Sequence, residues 1–181
     1  MMKKLVYAIF FMVLLGACKE TPNVENATES MSNPQPAVGE SSIKGNLQNL
    51  TPLTSEELEA AFPKQLYDLK LDKAPFINNQ TIVGHFGGRK ITLTISDAAG
   101  ENYRSATYIL DALNDNGFVD THETKYIKKV RKGIPTFARY YVGSHTELDF
   151  LYKDRFQTKL MGEMEPDALW EAFDINELKR L

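Results

Sequence analysis

The stretch Arg89-Lys90-Ile91-Thr92-Leu93-Thr94-Ile95-Ser96-Asp97 alternates apolar and polar side chains over its whole length. Successive residues of a strand point to opposite faces, so Ile91, Leu93 and Ile95 share one apolar side. Gly87-Gly88 precede this stretch and join it to the apolar run from Ile82 to Phe86, which is the signal of a two-residue hairpin. These residues predict antiparallel strands in a sheet with one apolar face.

Further strands are predicted on both sides of this hairpin. Tyr67 to Leu71 alternates in the same way, and a turn is expected around Ala74 to Asn79. Later in the chain, glycine and polar pairs separate four more extended runs, which predicts a meander. Its strands are expected at Thr124 to Arg131, Ile134 to Val142, Thr146 to Tyr152 and Phe156 to Met161.

Helices are predicted before, between and after these strands. Thr54 and Glu57 have the spacing of a capping box, which predicts a helix that Pro63 ends. Apolar side chains at helical spacing predict a second helix over Asn102 to Asn114. Pro166 is typical of the first turn of a third, and Ile175 to Leu181 predicts a last helical turn.

The order of these elements predicts an α+β domain over residues 46–181. Short hairpin links imply antiparallel pairing, and a sheet with one apolar face needs helices packed against it. We therefore expect a twisted antiparallel sheet of about six to seven strands with helices packed on it. The length left for this body suits one hydrophobic core.

Composition excludes several classes of function. The chain has 181 residues and a formal net charge of −3, whereas nucleic-acid-binding domains are usually strongly basic. Cys18 is its one cysteine. If that thiol carries a lipid, the rest of the chain forms no disulfide, uses no cysteine nucleophile and offers no thiolate to a metal. No cofactor is predicted.

The first eighteen residues have the order of an export signal. Lys3 and Lys4 precede an apolar run from Leu5 to Leu15, which is too short for the about 20 apolar residues that span a bilayer. Leu15-Gly16-Ala17-Cys18 resembles the lipobox of bacterial lipoproteins. That resemblance implies a signal peptide over residues 1–17 and acylation, for example by palmitate, of Cys18. A plain secretory signal and an uncleaved anchor helix are the alternatives.

Residues 18–45 are predicted to be an acylated cysteine followed by a disordered tether. The segment is rich in polar residues and proline and has no aromatic side chain, so it has little apolar surface to bury. A docked arm is the alternative, and Val38 and Ile43 are the residues that could anchor it. Lys19 stands where an aspartate marks inner-membrane retention in the enterobacterial lipoprotein pattern, so the outer membrane is favoured.

The body itself resembles small bacterial envelope domains. The resemblance rests on three short motifs, and it implies neither an activity nor a catalytic residue. They are Leu53-Thr54-Ser55-Glu56-Glu57-Leu58, Ser96-Asp97-Ala98-Ala99-Gly100 and Lys153-Asp154-Arg155-Phe156.

Two acidic groups are candidates for chemistry. Asp120, His122 and Glu123 could bind a metal if His85 or His145 joined them, because a site needs three or four converging ligands. A solvated loop is the alternative. Asp97 near Glu101 could act as an acid–base pair or could cap the following helix. The chain has no Gly-x-Ser-x-Gly elbow, and we favour a non-catalytic domain.

One basic and aromatic concentration is a candidate binding face. It is centred on Lys125, Lys128, Arg131 and Tyr140, and it could contact anionic lipid, a protein or an acidic polymer. Alternatively, these lysines keep an edge strand soluble.

The sequence therefore predicts a lipid-anchored protein of the bacterial cell envelope that binds a protein or polymer partner without catalysis. The lipid bilayer is its expected partner through Cys18, and nucleic acid is not. A metal-binding protein or metal-dependent envelope enzyme is the alternative.

Overall fold

The computed structural model of the protein describes residues 40–181, and that range contains four α-helices and nine β-strands. In chain order these are α1 (Glu40–Gln48), α2 (Ser55–Ala61), β1 (Gln65–Leu66), β2 (Leu69–Lys70), β3 (Phe76–Asn78), β4 (Thr81–Phe86), β5 (Ile91–Asp97), α3 (Arg104–Asn114), β6 (Thr124–Arg131), β7 (Ile134–Tyr141), β8 (His145–Tyr152), β9 (Phe156–Gly162) and α4 (Pro166–Glu171). Short 3₁₀ helices lie at Gly100–Tyr103 and Ile175–Leu178. The predicted signal peptide and Cys18 lie outside the described residues.

Seven of the strands form one antiparallel sheet in the order β3-β4-β5-β9-β8-β7-β6. It consists of two meanders that meet where β5 pairs with β9, with Leu93 opposite Leu160. Helices pack on this sheet, which confirms the predicted α+β class and the upper value of the expected strand number.

One face of the sheet carries the larger hydrophobic core. Alternate residues of β4, β5, β8 and β9 meet α2, α4 and the C-terminal 3₁₀ helix there. Trp170 and Phe173 of this layer pack on Phe150 with ring centroids 5.5 and 5.9 Å away. This face carries Ile91, Leu93 and Ile95, the alternate residues of β5 that the sequence predicts to share one apolar side.

The opposite face carries a smaller core beneath α1 and α3. Leu151 belongs to it, whereas its neighbour Phe150 belongs to the larger core, as strand alternation requires. Ile43 and Leu47 of α1 are buried here against Ala106 and Leu110 of α3. The sheet therefore lies between two layers of helices.

Gly84 lets α2 approach the sheet. A Cβ atom built on Gly84 would lie 2.5 Å from Cε1 of Phe62, inside van der Waals contact. Phe62 also stacks on Phe86 at 6.0 Å between ring centroids. A larger residue at position 84 would displace Phe62, so glycine is required by packing here.

The start of the folded region differs from the prediction. Residues 40–45 were expected in the disordered tether, but they form most of α1. Ile43 gives the physical reason, because it is buried against the second core together with Leu47. The docked arm that the sequence left open is thus present at residues 40–48, and the predicted boundary at residue 46 is too late.

Local predictions differ at three further points. The single strand expected at Tyr67 to Leu71 is a tight hairpin of β1 and β2, because Tyr67 has a φ of 50° and turns the chain. The turn expected at 74–79 contains β3. The Gly87-Gly88 hairpin is a longer turn, in which Arg89 also has positive φ and Asp72 accepts hydrogen bonds from the Gly88 and Arg89 amides at 2.7 and 2.8 Å.

The remaining predicted elements are confirmed. The Thr54 and Glu57 side chains form the reciprocal capping box at α2. The four strands of the predicted meander are β6 to β9, with ends that differ by one residue at most. Within residues 40–181, no helix is long and apolar enough to cross a membrane.

Candidate functional site

A row of ionisable side chains runs along β8 on the face that carries the smaller core. His145, Glu147 and Asp149 occupy alternate positions and therefore point to one side of the sheet. Their side chains are 32%, 21% and 0% exposed, respectively. The row thus leads from solvent into the protein interior, where α3 packs over β7, β8 and β9.

Two cations from the neighbouring strands flank this row. Arg139 of β7 is opposite Glu147, and its Nη2 lies 2.6 Å from Glu147 Oε2. Lys159 of β9 is opposite Asp149, and its Nζ lies 3.5 Å from Glu147 Oε2. Glu147 therefore forms the close ion pair of this polar row.

Among residues 40–181, Asp149 has no such close partner. The nearest cationic atoms are Arg139 Nη2 at 3.6 Å and Lys159 Nζ at 3.9 Å, beyond hydrogen-bonding distance. Neither carboxylate oxygen accepts a hydrogen bond from a described residue, and the buried Nε of Arg139 also has no partner there.

Burial raises the pKa of Asp149 to about 6, against the partly offsetting charges of Lys159 and Arg139. A carboxyl group with this pKa can take up or release a proton in mildly acidic solution. The sealed position of its oxygens separates it from any reactant larger than a proton or a water molecule.

A surface cavity of about 260 Å³ opens at the exposed end of the row, beside His145. Ser144 Oγ lies 2.9 Å from His145 Nδ1, but His145 Nε2 lies 3.9 Å from Glu147 Oε1. The second distance is too long for a hydrogen bond, so the three groups do not form a nucleophile–base–acid relay.

The predicted metal ligands do not converge. Asp120 Oδ1 accepts a hydrogen bond from the Tyr126 amide at 2.9 Å, and its Oδ2 lies 3.6 Å from Lys125 Nζ. His122 and Glu123 form an exposed pair at 3.4 Å. Among residues 40–181, no three His, Cys, Asp or Glu side chains are grouped to hold a metal ion, so neither His85 nor His145 completes the set.

The predicted basic and aromatic face is divided by the sheet. Lys125 is opposite Tyr140 and shares its face, whereas Lys128 is opposite Phe137 and points to the other side. Lys128 Nζ donates to the carbonyls of Leu113, at 2.9 Å, and Asp115, which are the free carbonyls at the end of α3. Lys128 thus has a structural contact that the sequence did not predict.

The other members of that face are also bound internally. Arg131 is buried, donates to Thr136 and contacts Asp167 Oδ1 at 2.7 Å. Hydrogen bonds from Lys129 and Arg131 lower the pKa of Asp167. Tyr140 donates to Glu165 at 2.6 Å, and this bond raises the pKa of the phenol.

Asp97 does not serve as an acid–base group. Arg155 donates to both carboxylate oxygens at 2.7 Å, and the Leu53 and Ala99 amides donate at 2.8 and 3.1 Å. Burial would raise the pKa of Asp97, but these hydrogen bonds outweigh burial and lower it. Asp97 stays ionised and connects three segments of the chain, which carry the three motifs singled out above.

Sequence reasoning missed the polar row on β8. The alternation of His145, Glu147 and Asp149 was visible, but charged residues at alternate positions normally indicate a solvent face. No signal within the strand shows that α3 covers one end of the row.

Comparison of the chain with models of known protein families, with curated proteins and with solved structures finds no match.

Proposed function

We propose that this protein is a lipid-anchored component of the bacterial cell envelope whose folded domain binds a protein or polymer partner without catalysis. The observation that carries the proposal is the order Leu15-Gly16-Ala17-Cys18 after a positively charged start and a short apolar run. Acyl chains on Cys18 would hold the chain at a bilayer, since each buried CH₂ contributes about 0.8 kcal/mol.

The internal contacts of Asp97 disfavour an acid–base role for it, and those of Lys128 and Arg131 remove these two residues from the candidate binding face. Asp97 is saturated by four hydrogen bonds, and Arg131 is buried against Asp167. Lys128 holds the end of α3. These side chains stabilise the fold through these contacts, although Nε of Arg131 is buried without a partner among the described residues.

The membrane that carries the anchor is part of the proposal. Lys19 follows the cysteine, so the enterobacterial sorting pattern favours the outer membrane over the inner one. The partner would then be a protein or polymer of the envelope.

The test compares three forms of the full chain produced in a bacterial host: the natural sequence, Cys18→Ser and Ala17→Gly. The natural chain and Ala17→Gly, which keeps a small residue before the cut, should sediment with membranes. Intact mass should show cleavage before Cys18 and added acyl chains. Cys18→Ser should lose the acyl mass.

Two results would contradict the proposal. One is an unmodified Met1 or an unacylated Cys18 in the natural chain. The other is an equal intact mass, apart from the substituted sulfur atom, of the natural and Cys18→Ser chains.

A further inference from the structure

Among residues 40–181, no strand pairs with one long edge of β6, the last strand of the sheet. It pairs with β7 on one side and is the terminal strand of the seven. The Thr124 carbonyl accepts from the Thr121 amide at 2.9 Å, and the Tyr126 amide donates to Asp120 at 2.9 Å, both away from β7. Because these directions alternate along a strand, Tyr126, Lys128 and Val130 direct their backbone groups outwards.

Asp120 closes the beginning of this edge, and the remainder is open. Within residues 40–181, no group pairs with the outward amides and carbonyls of Lys128 and Val130 or with the outward carbonyl of Tyr126. These five groups are enough to pair with a short added strand. An exposed row of this kind is the template used when a peptide adds to a sheet.

The two sides of this edge differ in chemistry. On one side, Val130 is 47% exposed and shares its face of the strand with Tyr126, whose ring lies 5.0 Å from that of Phe118. On the other side are Lys125 and Lys129, which pair with single carboxylates. Lys132 adds another exposed cation in the turn that follows. An occupant should therefore alternate apolar and acidic side chains.

Pairing of β6 with a second copy of itself is disfavoured in each central register. A symmetric pair centred on Lys128 would place the two Lys128 residues opposite each other and Lys125 opposite Arg131. Centring on Lys129 would oppose the two Lys129 residues, and centring on Ile127 would oppose Lys125 and Lys129. Like charges directly opposite destabilise a strand pair, so this edge rejects its own copy and suits an acidic strand.

We propose that the free edge of β6 binds an extended acidic segment of another protein, which adds to the sheet as an eighth strand. The added strand would pair with Lys128 and Val130, place its acidic side chains beside Lys125 and Lys129, and place its apolar ones beside Val130. This inference takes one point from the proposed function, namely that the folded domain binds a partner.

The test uses the full chain in detergent and a fluorescent synthetic peptide of alternating glutamate and valine. A peptide of alternating lysine and valine is the matched control. We expect saturable binding of the acidic peptide and at least tenfold weaker binding of the basic one. Amide hydrogen exchange should become slower at Lys128 and Val130 when the acidic peptide is bound.

Two variants test the role of the edge. Val130→Pro removes an outward amide without removing a bond to β7, a change that edge strands tolerate, and should weaken binding at least tenfold. Val130→Ala keeps that amide and should change affinity by less than threefold. Circular dichroism should show that both variants are folded.

Several outcomes would overturn the inference. These are absent or non-saturable peptide binding, equal binding by Val130→Pro, and protection from exchange at another surface. Slow exchange at Lys128 and Val130 without peptide would show that the edge is already occupied, by a second copy or by residues 1–39. The Cys18→Ser chain should bind the peptide normally, so failure of the lipid anchor and failure of this site are distinguishable.

Discussion

Two fully buried aspartates lie on the same sheet, and their environments move their pKa values in opposite directions. Asp97 accepts four hydrogen bonds, two of them from Arg155, and its pKa is lowered. Asp149 accepts none from the described residues, and burial raises its pKa to about 6. Burial alone therefore does not decide whether a carboxylate stays charged; the number of donors aimed at it does.

The two sites also differ in what they do for the fold. Asp97 connects the segment before α2, the end of β5 and the β8–β9 turn, which lie far apart in the sequence. Among the described residues, Asp149 has no partner at hydrogen-bonding distance, so its ionised form destabilises the folded state. The first is a structural ion pair, and the second is a proton-binding position covered by α3.

The largest expected effect comes from removing the partner of Asp97. Arg155→Met leaves the Asp97 carboxylate buried with two backbone donors and no countercharge. Breaking a buried pair in this way costs about 3–5 kcal/mol of unfolding free energy. Urea denaturation followed by the fluorescence of Trp170, the single tryptophan, measures the change. Arg180→Met, at an exposed arginine, should cost less than about 0.5 kcal/mol.

Removing the charge of Asp149 should have the opposite sign. Asp149→Asn keeps the shape of the side chain and abolishes the ionised form, so it should raise the unfolding free energy at pH 7.5 by about 1–3 kcal/mol, at 1.36 kcal/mol for each unit of pKa shift. Asp68→Asn, at an exposed turn, is the matched control. A clear loss of stability in Asp149→Asn would show that this carboxylate is a net stabilising partner of Arg139 and Lys159.

The pH dependence separates the two aspartates. The folded pKa of Asp149, about 6, lies above its ordinary value of 3.8, so its contribution favours the folded state in acid and is lost as pH rises through about 6. The lowered pKa of Asp97 gives the reverse: its contribution is present above the ordinary value and is lost as pH falls through the folded pKa.

Denaturation of the natural chain and of Asp149→Asn across this range measures the difference. The stability advantage of Asp149→Asn should shrink as pH falls from 7.5 to 4. A constant difference over that range would contradict the assignment.

The smallest effect tests geometry without changing charge. Arg155→Lys keeps a cation beside Asp97 but replaces the two-oxygen fork by a single ammonium group. It also removes the bond to the Thr51 carbonyl at 3.0 Å. We expect a loss of about 1–2 kcal/mol, on the scale of one charge-assisted hydrogen bond. A loss equal to that of Arg155→Met would mean that fork geometry, not charge, stabilises Asp97.

The sequence predicted elements with strong local signals and missed positions decided by contacts at a distance. The capping box of Thr54 and Glu57, the β5 alternation and the four-strand meander were all correct. The tether boundary was wrong because the helicity of residues 40–48 depends on a core built from residues far along the chain. The predicted basic face is divided, because the sheet register places Lys128 opposite Phe137, away from Lys125.

The candidate site shows the same difference between local signals, which the sequence displays, and distant contacts, which it does not. The row on β8 was not predicted: His145 was named only as a possible metal ligand, and Glu147 and Asp149 were not singled out, because alternation alone does not reveal which face a helix covers. Asp97 and Arg155 were both in motifs singled out from the sequence, but their pairing across 58 positions was not predicted.

Local chemistry in the sequence by itself determined that this chain forms an antiparallel sheet with helices, since alternation, capping and turn residues act over a few positions. It also determined the expectation of a lipid anchor at Cys18. The tertiary structure alone decided that Asp97 is held as an ion, that Asp149 is sealed beneath α3, and that β6 is left as an open edge. Strand order and helix placement bring distant residues together, and those contacts set the burial and hydrogen bonding of each charge.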